Sequence, residues 1–215
     1  MCGRFTLHAN MNLLLSQFAQ EAGLVPDWMP RFNIAPSQSV PVIRDGKLTM
    51  LRWGLIPSWA KEAKIGYSMI NARADTVATK PAFRKAFESR RCLIPADGFY
   101  EWQKLGKVKQ PYFFHRPDDS LFAFAGLWES NREFGESCSL VTTTANGVVS
   151  VAHDRMPVVL DRSDWQAWVS PSSSKAQLEG LLRPAADDYL VATPVSQFVN
   201  NPKNEGAGCI EPLAK

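Results

Sequence analysis

Residues 111–145, PYFFHRPDDSLFAFAGLWESNREFGESCSLVTTTA, decide the fold class, because three apolar runs rich in β-branched and aromatic residues are separated only by short polar breaks. PYFFHR, LFAFAGLW and CSLVTTTA are each strand-sized, and none approaches the length of a membrane span. Asp45-Gly46, between apolar runs at 40–44 and 47–53, marks a hairpin whose two turn positions take positive φ. CLIPADGFYEWQK (92–104) reads as strand, turn, strand with Asp97-Gly98 at the bend, and YLVATPVS near the end returns as a strand.

Helical patterning is confined to the margins. A helix is expected over 11–21 with Leu14 and Phe18 on one face and Gly23 as its stop, and another over 80–91 with Phe83 and Phe87 inward. Two short helices follow near the C-terminus, DWQAWV with Asp161 and Ser163 as caps, and SSSKAQLEGLL. An opening strand is expected at 3–7, and the proline-rich VPDWMPRFNIAPSQ excludes regular helix and is long enough to border a site. The pattern predicts a single α+β domain spanning 1–215, built on a mainly antiparallel sheet or partial β-barrel with peripheral helices.

The composition is that of a soluble globular protein, with 45% hydrophobic and 21% charged residues. No secretory signal pattern opens the chain, which places it in the cytoplasm or nucleoid and away from membranes. Four cysteines without a CxxC pair argue against a zinc site or redox dithiol, and no metal or organic cofactor is called for. The net charge of +3 is too small for global attraction to a polyanion, so any nucleic-acid contact must be a local patch.

Cys2 stands directly after Met1 in MCGRF, and excision of Met1 would leave one residue carrying a free α-amine beside a free thiol. An α-amine titrating near ~7.7 has a useful neutral fraction at physiological pH. It can attack an aldehyde to give a Schiff base on which the thiol closes a five-membered thiazolidine. The alternative is a small buried residue opening a strand. Three further segments set polar side chains among apolar ones: SMINARAD (68–75), GFYEWQK (98–104) and VAHDRMPVVL (151–160). Glu101 is either an exposed glutamate or a desolvated proton shuttle. His153 is either structural or an acid for ring opening, and Asn71 either a turn residue or a positioning amide. Arg4, Arg73 and Arg155 each lie two or fewer residues from Cys2, Asn71 and His153, on the same strand face if the strands are regular; together they would make a phosphate clamp.

Taken together, MCGRF, RFNIAP, WGLIPSW, INARADT, ADGFYEW, AHDRMP and VSQFVNNPKN resemble the SRAP family, the SOS-response-associated peptidases that shield abasic sites in single-stranded DNA. The resemblance runs from Cys2 to about Asn204. It implies a monomeric DNA-damage protein whose partner is single-stranded DNA containing abasic sites, including single-strand to double-strand junctions. It implies that Cys2 crosslinks to the ring-opened sugar, that Asn71 seats it, that Glu101 moves protons and that His153 promotes ring opening. It further implies phosphate contacts for Arg4, Arg73 and Arg155, and base contacts for Pro36 and Trp102. Some members carry two adjacent tryptophans where Trp59 is here followed by Ala60, which implies weaker base contacts on that side. Two other readings of the residues stay open: a cysteine-nucleophile hydrolase using Cys2 and His153, and a non-covalent nucleic-acid binder indifferent to the lesion. A strand-cleaving lyase side reaction would follow from an unclosed Schiff base.

Overall fold

The structure, a computed structural model, describes residues 2–18, 21–22 and 28–213. In chain order the elements are β1 (Phe5–Leu7), α1 (Met11–Phe18), β2 (Glu21–Ala22), β3 (Arg31–Ile34), β4 (Ser39–Arg44), β5 (Lys47–Trp53), β6 (Asn71–Arg73) and α2 (Arg84–Ser89). They continue with β7 (Arg91–Ala96), β8 (Gly98–Leu105), β9 (Val108–His115), β10 (Phe122–Asn131), β11 (Gly135–Thr144), β12 (Arg155–Pro157) and β13 (Val159–Leu160). The chain ends with α3 (Trp165–Val169), α4 (Lys175–Gly180) and β14 (Val191–Pro194). The α+β class stands, and no helix among the described residues is long and apolar enough to cross a membrane.

The strands divide between two sheets. One runs β14-β9-β8-β1-β3, antiparallel throughout. In the other, β5, β4, β7, β10 and β11 are successive antiparallel neighbours, and β11 returns to β5 in parallel, with Ser137 opposite Arg52 and Cys138 opposite Trp53. The expected partial barrel is therefore a closed ring of five strands, which leaves none of them an unpaired edge. β6 and β12 add to β11, one parallel and one antiparallel.

Aromatic side chains join the two sheets. Phe5 meets Trp53 edge-on at 5.1 Å and Phe124 at 5.7 Å, while Phe99 stacks on Phe114 at 5.1 Å and reaches Phe124 at 6.1 Å. All five are fully buried, and each is worth roughly 1.5–3 kcal/mol of burial, with a further increment from ring geometry.

The bend at Asp97 is where the chain leaves the barrel for the other sheet, so β7 and β8 do not pair as a hairpin. Asp97 is buried and accepts from the Thr6 hydroxyl and from the backbone N–H groups of His8 and Ala9, which pins the end of β1. Behind it, a Cβ on Gly98 would overlap the Phe113 ring. Gly98→Ala forces that ring to move in a packed site, and a loss of about 1–3 kcal/mol, read as a lowered Tm, is the expected result.

The helices sit at the periphery, with differences at their ends. Leu14 and Phe18 are buried as their i, i+4 spacing requires, but α1 stops at Phe18 and Glu21–Ala22 pairs with β5 instead of extending the helix. Gly23 lies outside the described residues. α2 is shorter than the 80–91 pattern because turns precede it and Arg91 already belongs to β7, although Phe83 and Phe87 do face inward. β1 begins at Phe5 rather than at residue 3. At α4 a capping box joins Ser174 and Gln177, whereas no side chain caps α3 or the short 3₁₀ turn Arg162–Asp164 before it, where Asp161 and Ser163 were expected to act. The Asp45-Gly46 hairpin forms with φ of 50° and 72°.

Candidate functional site

Sheet pairing gathers polar side chains from four distant parts of the chain. β1 pairs with β8, and Tyr100 N–H donates to the Arg4 carbonyl at 3.0 Å, so the residues leading into β1 run beside the middle of β8. β6 and β12 both pair with β11, which brings Asn71 and His153 to that strand's flanks. The two sheets are joined directly where Asn71 Nδ2 donates to the Cys2 carbonyl at 2.8 Å. Beside this junction opens a cavity of about 560 Å³ lined by Arg4, Glu101, Trp102, Lys104, Lys109, His153 and Asn200.

Cys2 is fully buried and packs in the main core. Burial, and after it the negative charge of Glu101, hold its thiol far above the ordinary range. Glu101 is itself 3% exposed, which removes it from the solvated sheet face. Burial pushes its carboxyl up to about 7, against the lowering effect of the amino-terminal charge. A carboxyl in that range gives and takes a proton near neutral pH.

His153 is held below its ordinary value, first by burial and then by the amino-terminal charge. Its Nδ1 lies 3.0 Å from the Arg155 amide nitrogen, which favours a bare Nδ1, and 2.8 Å from Asp154, whose carboxylate favours a proton on the same nitrogen. Asn71 has one committed end and one open one: Nδ2 is used on Cys2, while the buried Oδ1 has no hydrogen-bond partner among the described residues. An unpartnered acceptor beside the first residues is placed to receive an N–H or hydroxyl.

Two of the three arginines, Arg73 and Arg155, are neighbours beside Thr142, and Arg4 stands apart from them on the cavity wall. Arg4 lines the cavity, donates to Asn33 Oδ1 at 2.6 Å and the Val199 carbonyl at 3.0 Å, and lies 5.7 Å from the Trp102 ring centroid. Arg155 is buried against Thr142, where it donates to the hydroxyl and the carbonyl. Arg73 stands opposite Thr142 across the β6–β11 ladder and is exposed, with its guanidinium gripped by Asp75 at 2.7 and 3.1 Å. Pro36 occupies the turn between β3 and β4, half-buried, and is not among the residues that line the cavity. Trp102 lines the cavity, and its indole N–H donates to Asn200 Oδ1 at 2.7 Å.

Residues the sequence reading did not single out complete the walls. Asn33 is a buried hub: besides accepting from Arg4, its Nδ2 faces the carbonyls of Val199, Asn201 and Asn204 at 2.9–3.3 Å, holding the loop that carries Asn200. Lys104 and Lys109 enter from the β8–β9 hairpin, whose signal is a two-residue Gly106-Lys107 loop between matched strands. Among the described residues no three His, Cys, Asp or Glu side chains gather as metal ligands, and all four cysteines are free.

Known proteins of similar sequence share one description, and solved structures share the fold. The abasic site processing protein YoqW of Bacillus subtilis is 45% identical, with 98% of this chain and 99% of that protein covered. The abasic site processing protein YedK of Escherichia coli is 32% identical over 99% of this chain and all of its own. The chicken protein HMCES, also named an abasic site processing protein, is 32% identical over 87% of this chain and 69% of its own. A Bacteroides thetaiotaomicron crystal structure superposes with a TM-score of 0.89 at 24% identity, covering 99% of this chain and all of that one. A phage-related protein of Bordetella bronchiseptica gives 0.73 at 28% identity, over 91% and 95% of the two chains. The SOS response associated peptidase (SRAP) description matches residues 1–202, and with that match over nearly its whole length the chain belongs to the SRAP family.

Proposed function

We propose that this protein processes abasic sites in DNA, capturing the ring-opened sugar covalently through Cys2 once Met1 has been removed. The amine of Cys2 adds to the C1′ aldehyde and the carbinolamine loses water, giving an imine. Sulphur then adds to the imine carbon while the thiol proton passes to nitrogen, closing a thiazolidine; the net change is the loss of one water. Glu101, with its carboxyl near neutrality, relays the protons of both steps, and its position beside a thiol held protonated supplies the base that the thiol requires. Asn71 Oδ1 accepts from the amine or from the sugar hydroxyl. His153, on the cavity wall, donates a proton to the ring oxygen as the sugar opens.

The observation that carries this reading is the convergence of Glu101, His153 and Asn71 around the residue that would become the amino terminus, beside a cavity walled by Arg4, Lys104 and Lys109. Relatives at 32–45% identity that bear the name abasic site processing protein support it independently. The lesion is read in single-stranded DNA or at a junction, because a buried nucleophile needs a sugar free of a duplex. Incubation with an abasic single-stranded oligonucleotide followed by a denaturing gel should give a shifted band; no shift from protein whose intact mass shows Met1 absent would refute the proposal.

A further inference from the structure

The β8–β9 hairpin carries the cavity wall outward and has features that the capture chemistry does not use. Lys104 and Lys109 stand directly opposite each other in the ladder, and Lys107 sits in the loop between them. Like charges facing across a strand pair are destabilising. Cations elsewhere are of both kinds: Arg31, Lys64 and Arg183 pair with Glu205, Glu62 and Asp164, while exposed Lys61, Lys85 and Lys203 have no carboxylate partner among the described residues, so it is the facing pair that sets the hairpin apart. None of the three hairpin lysines has such a partner among the described residues.

The hairpin's shape is fixed. Gly106 has a φ of +61°, the first position of a two-residue turn that suits the twist of the paired strands. One rung from the lysine pair, Leu105 faces Val108, and both stay about half exposed, at 53% and 49%. Trp102 and Lys104 are two residues apart and so share a strand face, which continues the cavity wall outward to the tip. An arm bearing three ammonium groups without carboxylate partners around a small apolar step matches a sugar-phosphate backbone, anionic at its phosphates and apolar at its sugars.

We propose that the β8–β9 hairpin is a phosphate-gripping arm that holds the nucleic-acid backbone flanking the residue seated in the cavity. The inference rests on the reading of that cavity as a DNA site. Lysine's flexible ammonium binds phosphate as a point charge without reading bases, so the arm adds affinity and orientation but no sequence preference.

The test is equilibrium binding of the full chain to a labelled, undamaged single-stranded oligonucleotide over a range of salt concentrations, comparing wild type with the Lys104→Gln/Lys109→Gln double variant. Both lysines are exposed, so folding should be retained. The slope of log K against log salt is expected to fall by about 1.4, at roughly 0.7 for each lost single-strand phosphate contact, with about a threefold to tenfold weaker affinity at low salt. Because Lys104 and Lys109 also wall the cavity, adduct formation is followed in parallel, and its yield at a fixed subsaturating oligonucleotide concentration is expected to fall with the binding. An unaltered slope in a double variant whose wild type binds DNA overturns the arm and leaves the capture chemistry standing. Wild-type protein that neither binds nor forms an adduct overturns both.

Discussion

Cys2→Ser eliminates the adduct that survives denaturation while leaving DNA binding in place. The variant keeps an α-amine after Met1 removal and still condenses with the aldehyde, but its hydroxyl is a far poorer nucleophile toward the imine than sulphur. The product stays a hydrolysable Schiff base, seen only after borohydride reduction. A denaturing gel with and without borohydride separates the two forms. Because Cys2 is fully buried, the hydroxyl also costs about 1–3 kcal/mol if it finds no partner, so melting is followed in parallel and Cys2→Ala serves as the comparison for packing. Heat-stable adduct at wild-type level from Cys2→Ser would remove sulphur from the mechanism. Under the hydrolase reading the same variant would instead retain slow acyl chemistry and show no lesion dependence.

Glu101→Gln should give a protein that is slower and yet more stable. The amide neither gives nor takes a proton in these steps, so the adduct-forming rate is expected to fall by about 10²–10⁴, the range of a positioned acid or base. The rise or fall of the wild-type rate around pH 7 should vanish with it. The stability effect follows from linkage. The Glu101 carboxyl has an ordinary value of 4.5 and is pushed up to about 7 in the folded protein, so the native state binds its proton more tightly than the unfolded chain. Wild-type stability therefore declines as pH rises from about 4.5 to 7, over which the unfolded chain releases the proton that the folded chain still holds. Glutamine does not titrate, so the variant should melt above wild type at pH 8, with the gap closing toward pH 4. Melting curves at several pH values check this, and a variant that melts lower at pH 8 would show that the ionised carboxylate is stabilised where it lies. Such an exchange of stability for reactivity is common where a charge is buried for chemistry.

The parts of the fold legible in the sequence are those set by local pattern. The three runs in 111–145 became β9, β10 and β11, and Asp45-Gly46 made its hairpin, because alternation, β-branching and turn chemistry act over a few residues. The barrel's closure was not legible, since the parallel return of β11 to β5 depends on which strands meet across more than eighty residues. The Asp97 bend misled for a related reason. Asp-Gly announces a change of direction, but whether the next strand folds back on the last or joins another sheet is decided by its partner, here β1. In the site, the ionisable side chains set in apolar strands stood out by their chemistry. Asn33 and Asn200 did not, because their importance lies in what they hold, and nothing in RFNI or FVNN shows that one amide will meet three carbonyls of a distant loop.

Asn33 also ties the two extremities of the chain to each other. Through it and Arg4, residues 199–204 are moored to the strand that opens the molecule, and Asn200 in turn steadies the Trp102 ring. Cutting the polypeptide ahead of Val199 would remove the partners of Arg4 and Asn33 and loosen the wall beside Cys2.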